Sequence, residues 1–348
     1  MKAPSVSIVV IARNEEGHIG KSLGATVREA SSVGGETVFV DSGSTDRTLD
    51  VALGFPVKAV KMDSSNLLTA AAARQVGFVN STGEIVLFVD GDCVLAPGWA
   101  KSAVAALTNS RGIAGVRGRL DEVYLHEGNI VGGMENRFVD SPKHPVSTLS
   151  VGGNAAFLRS ALEEVGGGFN PFIRSQEEAD LCFRLMKKGL RVLAIPEKMA
   201  THYTEKRWTF ATVFGRFVHG LCTGYGQVLR SAVRHGFLRG FVRQESRTFL
   251  FMGACVAGIA ACTLDLLGGT LLWSPLWVAA MLVPFAYMAI KNRNAKWPAL
   301  MYLTWFLNCL GMVYGLAKAL PNTTAPDARV RVFYGEVRPK TVDEQGQH

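Results

Sequence analysis

Two aspartates follow an apolar run in the first third of the chain. Residues Ile85–Val89 are all apolar, and Asp90, Gly91 and Asp92 come directly after them. Two carboxylates one residue apart can supply part of the oxygen shell of a hard divalent cation, and Mg²⁺ typically combines one or two carboxylates with substrate phosphates. Such a cation would act as a Lewis acid toward a departing diphosphate. Because Asp-Gly-Asp is also common turn chemistry, the motif alone predicts either a metal site or a turn.

A third aspartate ends another apolar run. Asp41 follows Thr37–Val40, and a carboxylate at the end of a buried strand can accept hydrogen bonds from a base or from a ribose hydroxyl. Ser44 and Thr45, in the turn that follows, are residue types that cap helices. We therefore interpret the turn as structural and leave Asp41 open between a ligand contact and a structural role.

Three acids occupy four positions further along the chain: Glu177, Glu178 and Asp180. Acids in the first turn of a helix interact favourably with the helix dipole, which is a structural explanation for the cluster. The functional alternative is a general base that takes a proton from an acceptor hydroxyl. Upstream, Gly153 and Asn154 lie in a glycine-rich stretch whose flexible backbone would let a substrate approach closely.

Strand-like and helix-like patterns alternate over residues 5–200. Short β-branched runs predict strands at Val6–Ile11, Thr37–Val40, Val57–Val60 and Ile85–Val89, with helices between them. This alternation predicts an α/β fold, a mainly parallel sheet with helices on both faces. In such sheets ligands bind outside the carboxyl ends of the strands, so Asp41 and Asp90 should face one crevice.

The chain has a net charge of +8, and many of its arginines precede an apolar C-terminal region. Between Lys206 and Arg247, apolar residues recur at helical spacing and basic residues fill the gaps. The pattern predicts amphipathic helices that lie in a membrane interface, with an ordinary surface helix as the alternative. Because the charge directly precedes apolar segments, membrane headgroups are favoured over nucleic acid as the anionic partner.

Three apolar segments follow, at 249–273, 275–290 and 298–320. The first and third reach the roughly 20 residues that a spanning helix needs, whereas the middle one is short and contains Pro284. Lys291, Arg293 and Lys296 predict a cytoplasmic loop, yet the basic tail also favours the cytoplasm, and three crossings would put it outside. We expect a re-entrant or interfacial third segment. Asp265, inside the first segment, should face protein or water.

Five short motifs stand in a fixed order: Ser7–Glu16, Val40–Asp46, Ala71–Arg74, Asp90–Asp92 and Glu177–Leu181. In this order they resemble the family 2 inverting glycosyltransferases of the GT-A fold, and the resemblance covers about residues 5–205. The basic helices and apolar C-terminal segments are similar, more loosely, to the membrane-anchored succinoglycan-type exopolysaccharide glycosyltransferases.

The resemblance implies a role for each matched residue. It implies nucleotide-sugar binding by Ala12, Asn14, Glu15, Asp41, Arg74, Asp90 and Gly91. Asp41 would contact the base, and Arg74 would lie beside the nucleotide or a phosphate. Asp92 would be the direct ligand of Mg²⁺ or Mn²⁺, with Asp90 beside it, and His202 resembles a histidine that some members place near the metal.

The resemblance also implies the catalytic and acceptor-side residues. Glu178 falls at the position of the catalytic base, with Glu177 as its supporting acid. The family usually has Asp at this position, and the extra methylene of Glu can shift a base by about an ångström, a displacement that costs ~10²-fold in rate. The expected acceptor-side residues are Gly153, Asn154, Asp180, Arg207 and Trp208. The last two resemble a pair found in processive polysaccharide synthases, but the glutamine pattern that accompanies that pair is absent, so processivity is not predicted.

The sequence thus predicts a membrane-anchored inverting glycosyltransferase. The donor would be a nucleotide-diphosphate sugar, expected to be a UDP-sugar, and the acceptor a hydroxyl of a polyprenyl-linked saccharide in exopolysaccharide or cell-surface glycan synthesis. One alternative is a polyprenyl-phosphate glycosyltransferase, whose ionised acceptor needs no base. Another is a non-catalytic nucleotide-sugar-binding subunit of a polysaccharide assembly complex.

The expected organisation follows the same argument. Residues 1–205 would form the GT-A catalytic domain, 206–247 the interfacial helices, 248–320 two to three membrane segments and 321–348 a polar tail. The catalytic domain would lie on the cytoplasmic side of the inner (plasma) membrane, and six cysteines without a CxxC pair fit a reducing cytoplasm. Expected partners are membrane lipids and other polysaccharide-assembly proteins, and no nucleic acid.

Overall fold

The computed structural model describes residues 3–63, 67–109, 112–138, 142–205, 209–318, 320 and 329–335. These residues divide into two compact units. We call them the sheet unit (Met1–Phe172, Arg184–Glu205 and Asn322–His348) and the helical unit (Ile173–Phe183 and Lys206–Pro321).

The sheet unit begins with four parallel strands. They are β1 (Val6–Ala12), β2 (Glu36–Asp41), β3 (Lys58–Met62) and β4 (Ile85–Asp90), paired in the order β3-β2-β1-β4. The intervening helices are α1 (Ile19–Ser32), α2 (Thr48–Ala52) and α3 (Ala70–Val79). Every residue of β1 is buried, which explains why all of its residues except Ser7 are apolar instead of alternating with polar ones.

Helices cover both faces of this sheet. Ile8 and Val10 belong to one core cluster with Ile19 and Leu23 of α1. Val9 points the other way, because successive side chains of a strand alternate between faces. On that face α3 approaches so closely that a Cβ on its Gly77 would lie 2.2 Å from Val9 Cγ1. The predicted α/β architecture is confirmed.

The remaining elements of the sheet unit follow in chain order. They are β5 (Cys93–Leu95), α4 (Trp99–Thr108), β6 (Ile113–His126), β7 (Asn129–Met134), β8 (Val146–Ser147), β9 (Ala155–Leu158), α5 (Arg159–Glu164), α6 (Glu177–Lys187), which begins in the helical unit, and β10 (Arg191–Glu205). Strand β9 is antiparallel to β4 and β6, whereas β6 and β10 are parallel. The described sheet is therefore mixed, and its antiparallel part was not predicted.

The C-terminal part of the chain returns to this sheet. Strand β11 (Val330–Tyr334) pairs antiparallel with β3, with Val330 opposite Met62 and Tyr334 opposite Lys58. The sequence alone predicts a polar tail at 321–348. The structure corrects this for 330–334, because a strand of alternating Val, Arg, Val and Phe completes the exposed edge of β3.

The helical unit contains the amphipathic and apolar helices. The first three are α7 (Phe210–Val218), α8 (Thr223–His235) and α9 (Leu238–Gln244). The next three are α10 (Ser246–Gly268), α11 (Trp273–Lys291) and α12 (Lys296–Ala317), with mean hydropathies of 2.0, 1.5 and 1.4. All three are long and apolar enough to cross a membrane. Pro284 is accommodated inside α11, so the segment predicted to be short is a full helix.

The last helix differs from the other two in its packing. Glycines let α12 approach α8 closely: a Cβ on Gly315 would lie 2.0 Å from the carbonyl oxygen of Thr223, and one on Gly226 would lie 2.1 Å from that of Met312. The first half of α12 packs its Leu300 against Val213 of α7. α12 is therefore partly buried by α7 and α8, whereas no residue of α11 is buried.

A short turn joins α10 to α11. Asp265 of α10 accepts hydrogen bonds from the backbone N–H groups of Leu272, Trp273 and Ser274, at 2.8 to 3.0 Å. Its carboxylate therefore caps the start of α11, which satisfies N–H groups that the first turn of a helix leaves unpaired. This agrees with the expectation that Asp265 faces protein.

Candidate active site

The candidate site is built at the carboxyl edge of the parallel strands. The register places Ala12 of β1 opposite Asp41 of β2, and Ile11 opposite Asp90 of β4. A cavity of about 190 Å³ at this edge is lined by Ala12, Glu15, Ser42, Asp90, Gly91, Asp92 and residues at the start of α3. A Cβ on Gly91 would lie 2.6 Å from the Ala12 Cβ, so only glycine fits here. The strand ends thus bring the predicted donor-site residues together.

Asp41 is fully buried at the end of β2. Its Oδ1 accepts a hydrogen bond from the backbone N–H of Ser44 at 3.1 Å. Among the described residues, no donor reaches its Oδ2. Asn14 orders the same turn, since its Oδ1 accepts from the N–H of Thr45 at 2.9 Å. A buried carboxylate oxygen without a donor is costly, and a ligand N–H or O–H at this position would satisfy it.

Asp90 is held by two residues that the sequence analysis selected. Arg74 Nη2 lies 2.6 Å from Asp90 Oδ1, and the Asn154 side chain contacts both the Asp90 N–H, at 2.9 Å, and Oδ2, at 3.3 Å. Gly153 has φ +72°, and a Cβ there would lie 2.5 Å from both Arg74 Nη2 and Asp90 Oδ2. These contacts fix Asp90, and they place Gly153 and Asn154 beside the donor-site residues.

Asp92 and His202 lie together although 110 residues separate them in sequence. Their Oδ2 and Nε2 atoms are 2.9 Å apart, because β10 pairs antiparallel with β5 and sets His202 opposite Cys93. On its other side, His202 Nδ1 lies 3.5 Å from Oε1 of Glu122. His202 thus lies between two carboxylates, and a metal bound to Asp92 and Nε2 would leave the ring proton on Nδ1, facing Glu122.

The donor atoms at this point fit a divalent cation. Asp92 and His202 offer one carboxylate and one imidazole nitrogen, and Cys93 lies within the same cluster. Burial and the adjacent charges of Asp92 and Asp90 raise the pKa of the Cys93 thiol well above its usual range, so it remains protonated and faces Asp92 at 3.6 Å. An oxygen and nitrogen ligand set suits Mn²⁺ or Mg²⁺ better than a thiol does.

Glu15 lies beside these acids. Burial raises the pKa of its carboxyl to about 7, and the negative charges of Asp92, Asp46 and Asp90 act in the same direction. The carboxyl edge of the sheet therefore carries more negative charge than its own basic side chains neutralise. A bound cation would offset this charge.

The acidic cluster lies in the helical unit, at the start of α6. Glu177 and Asp180 are buried and Glu178 is half-buried. The Asp180 carboxylate accepts a hydrogen bond from Ser231 of α8 at 2.5 Å. Asp180 therefore has a structural partner, whereas Glu178 is the acid with the greatest exposure. The predicted acceptor residues Arg207 and Trp208 lie outside the described residues.

Two features of the sheet unit were missed by the sequence analysis. One is Glu122, which follows Asp121 in a strand that also carries Arg117 and Arg119, so that no sequence pattern singles it out. The other is a cavity of about 500 Å³ next to the turn after Asp41, lined by Lys61 and Asp63 of the β3 end and by Arg329 and Arg331. The last two residues reach it only because β11 joins the sheet.

Residues 7–166 match the family model described as Glycosyl transferase family 2. The match spans β1 to α5 and includes the edge that carries Asp41, Asp90 and Asp92. Residues 7–166 form a family 2 glycosyltransferase domain. The expectation of this family and of the GT-A fold is confirmed, whereas the succinoglycan-type subfamily stays a prediction.

Two curated relatives match part of this chain. The pre-mycofactocin glycosyltransferase of Mycobacterium tuberculosis is 32% identical over 144 residues, covering 38% of this chain and 29% of that protein. Glycosyltransferase AglE of Haloferax volcanii is 30% identical over 132 residues, covering 36% of this chain and 42% of that protein. The chain thus spans less than half the length of these relatives.

Two solved structures share the fold. Mannosyltransferase PcManGT from Pyrobaculum calidifontis, in complex with GDP-Man and Mn²⁺, has a TM-score of 0.59 at 19% identity, covering 90% of this chain and 88% of that chain. GalNAc-T7 with UDP, GalNAc and Mn²⁺ has a TM-score of 0.52 at 15% identity, covering 71% of this chain and 57% of that chain. At these identities the likeness shows the fold alone.

The raised pKa of Glu15 predicts a pH-dependent stability in metal-free protein. A carboxyl with a pKa of about 4.5 in the unfolded chain and about 7 in the fold contributes stability below pH 4.5 that is lost as the pH rises through 7. Glu15→Gln removes this titration. We expect the variant to be more stable than the parent at pH 8, by on the order of 1 to 3 kcal/mol, and to show no gain at pH 4.5.

Thermal unfolding in EDTA across this pH range checks the prediction. The matched control is Glu16→Gln, an exposed neighbour of the same type. An equal change in Tm at pH 4.5 and pH 8 would show that the charge on Glu15 does not titrate as described.

Proposed function

We propose that the chain is a membrane-anchored inverting glycosyltransferase. It moves a sugar from a nucleotide-diphosphate sugar, a UDP-sugar by preference, to a hydroxyl of a lipid-linked saccharide in exopolysaccharide or cell-surface glycan synthesis. The observation that carries the proposal is the carboxyl edge of the family 2 domain. There the buried Asp41 lacks a donor on Oδ2, Arg74 fixes Asp90, and Asp92 meets His202.

The donor preference rests on Asp41. Its Oδ1 already accepts from Ser44, which leaves one buried oxygen for the base. Uracil offers a single ring N–H, whereas guanine offers two adjacent donors that would pair best with both carboxylate oxygens. A UDP-sugar therefore fits the single open acceptor. Both UDP and GDP-Man occur in the solved neighbours, so the experiment must compare the two nucleotide classes.

The proposed chemistry is a single displacement. Glu178 takes the proton from the acceptor hydroxyl, and the hydroxyl oxygen bonds to the anomeric carbon while the bond from that carbon to the diphosphate breaks. The configuration of the carbon inverts. Glu177 supports the base, and Arg74 lies where a phosphate or nucleotide would bind. Mg²⁺ or Mn²⁺ held by Asp92 and His202, with Asp90 beside them, would offset charge on the departing diphosphate.

The experiments below also test two alternative functions. A polyprenyl-phosphate glycosyltransferase would attack with an ionised phosphate and would not need Glu178. A nucleotide-sugar-binding subunit of a polysaccharide assembly complex would bind donor without turnover. The acid cluster at the start of α6 favours an enzyme that needs a base. A lipid-linked acceptor is supported by the apolar helices that follow.

The return of the chain to the sheet limits the number of membrane crossings. Because β11 pairs with β3, residues 330–334 lie on the same side of the membrane as the sheet unit. The intervening helical unit must then cross an even number of times. α10 and α11 form an antiparallel pair joined by a four-residue turn, whereas α12 packs along α7 and α8. We assign two crossings to α10 and α11 and an interfacial position to α12.

The positions of basic residues indicate which side of the membrane each loop of the helical unit occupies. Lys291, Arg293 and Lys296 surround the connection from α11 to α12, and basic residues next to membrane helices favour the cytoplasm. The glycosyltransferase domain and β11 would then be cytoplasmic, and the turn at 269–272 would lie on the opposite side of the inner membrane. Residues 209–247 would lie along the cytoplasmic surface.

The base assignment is tested by Glu178→Gln in the full chain. We expect kcat to fall by ~10²–10⁴ while donor affinity stays within twofold of the parent, because a general base acts in the transition state. Release of nucleoside diphosphate is measured with a panel of UDP- and GDP-sugars, each offered with polyprenyl-diphosphate-linked sugars and, separately, with polyprenyl phosphate. The control is Glu164→Gln, at an exposed acid of α5.

Turnover by Glu178→Gln at the parent rate would favour the phosphate-acceptor alternative. Glu178→Asp, which keeps a carboxylate, should retain measurable activity.

The metal assignment is tested by direct binding as well as by turnover. We expect Asp92→Asn to weaken Mn²⁺ binding, followed by electron paramagnetic resonance, by at least about tenfold. Glu122→Ala should weaken it by about 10–100-fold, because a carboxylate behind a ligating histidine has effects of that size. Cys93→Ala, which alters the same cluster without removing an oxygen or nitrogen ligand, is the matched control and should bind Mn²⁺ as the parent does. Full turnover in EDTA would contradict the assignment.

The membrane assignment is tested with single cysteines in a cysteine-free background. A membrane-impermeant maleimide should label Leu271→Cys, in the turn between α10 and α11, in intact cells. It should label Arg293→Cys and Tyr334→Cys only after the membrane is opened, because both positions lie on the side of the sheet unit. Labelling of Tyr334→Cys in intact cells would show an odd number of crossings.

A further inference from the structure

The segment before α6 is bonded to α8 within the helical unit. The backbone N–H of Arg174 donates to Oε1 of Gln227 at 2.8 Å, and Ser175 Oγ donates to the carbonyl of Leu221, just before α8, at 2.5 Å. The two elements touch closely, since a Cβ on Gly224 would lie 2.3 Å from the Ser175 carbonyl oxygen. Gln227 is only 5% exposed, so its bond to Arg174 is shielded from water.

The first turn of α6 is held by the same helix. Ser231, one turn beyond Gln227 on the same face of α8, donates to Asp180 Oδ1 at 2.5 Å. Both of these side chains are buried. Further along, Phe183 stacks on Phe237 with ring centroids 5.0 Å apart. Buried bonds from α8 therefore lie on both sides of Glu178.

The residue directly before the acids adopts a strained backbone. Gln176 has φ +66°, which is uncommon for a residue other than glycine and persists where surrounding contacts impose it. Its side chain hydrogen-bonds to Tyr225 of α8. Its carbonyl accepts from the N–H of Asp180 at 3.1 Å, which begins the helix. The left-handed backbone conformation of Gln176 thus sets the direction in which α6 starts.

These contacts are more specific than packing of two helices requires. Apolar contacts such as Phe183 on Phe237 would be enough to attach α6 to the helical unit. Buried polar contacts instead select one relative position, since a shift leaves donors and acceptors unpaired. Four polar contacts converge on residues 174–180.

We propose that Gln227 and Ser231 of α8 are positioning residues that fix the carboxylate of Glu178 for proton removal from the acceptor. This deepens the proposed function and rests on it, because it takes Glu178 as the base. α8 follows α7 and packs against α12, so the base is set by the same helices that we assign to the membrane surface. The proton removal from the acceptor then depends on α8, a helix that we assign to the membrane surface from which a lipid-linked substrate would come.

The test compares variants of α8 in the full chain. Gln227→Met removes the acceptor for the Arg174 N–H at nearly constant size, and Gln227→Glu keeps an acceptor oxygen. Ser231→Ala is the second, independent variant. Val233→Ala, at a position that is 65% exposed on the same helix, is the matched control. We expect kcat to fall about 10–100-fold in Gln227→Met and Ser231→Ala, since misplacing a group by about 1 Å has effects of this size.

Two further measurements separate positioning from loss of structure. Binding of UDP with Mn²⁺ should stay within twofold of the parent in both variants, and Gln227→Glu should recover most of the lost kcat. Hydrogen exchange at the Arg174 amide should accelerate in Gln227→Met, while amides of β1 and β4 exchange as in the parent. Parallel losses of kcat and UDP binding would overturn the proposal, as would parent-like kcat in both variants.

A double variant shows whether α8 acts through Glu178. Once Glu178→Gln has removed the base, adding Gln227→Met should lower kcat by less than about twofold more, because residues that act as a unit are not additive. A full multiplicative loss would overturn the proposal. Parent-like turnover by Glu178→Gln alone would overturn the base assignment itself. If Glu178→Gln lowers kcat while Gln227→Met and Ser231→Ala have the kcat of the parent, only the role of α8 is overturned and the base assignment stands.

Discussion

Parallel hydrogen bonding of β1 to β2 and β4 is the constraint on which the candidate site depends. It aligns Ala12, Asp41 and Asp90 at one edge of the sheet, where strand ends, and not strand interiors, present polar groups. The strands are buried on both faces, and α1 and α3 pack on opposite sides of β1. A one-residue slip of register would exchange the two faces of a strand and remove the aspartates from this edge.

The same alignment concentrates negative charge. Asp90 is neutralised by the buried guanidinium of Arg74, and Asp92 faces an imidazole that Glu122 orients from the neighbouring strand. Glu15 lies 3.3 Å from His18 Nδ1, yet burial still raises the pKa of its carboxyl to about 7. Placing these acids together costs folding free energy that a cation and a phosphorylated ligand would recover. The arrangement is therefore explained more simply by binding than by stability.

The helical unit combines two kinds of packing. Small residues let α12 approach α8 at backbone distance, which is the contact type found where apolar helices associate. Polar bonds from α8 instead hold the segment that begins α6. The unit that contains the apolar helices thus also contains the acid cluster, whereas the donor-site residues belong to the sheet unit.

The sequence by itself determined the elements and the acids at their ends. The largely apolar runs at Val6–Ile11 and Ile85–Val89 identified β1 and β4, because a strand buried on both faces is mostly apolar. The apolar C-terminal segments indicated α10 to α12, because a helix that crosses a membrane needs roughly 20 apolar residues. Only the tertiary structure decided which distant residues meet. His202 reaches Asp92 across 110 residues, Glu122 lies behind it because β6 pairs with β10, and β11 returns to β3 from beyond the last apolar helix. The local pattern of apolar residues indicates that a segment is buried, but it does not show which other segment it packs against. Strand order, register and the attachment of α6 to α8 arise from long-range packing and buried polar bonds, which no short stretch of sequence encodes alone.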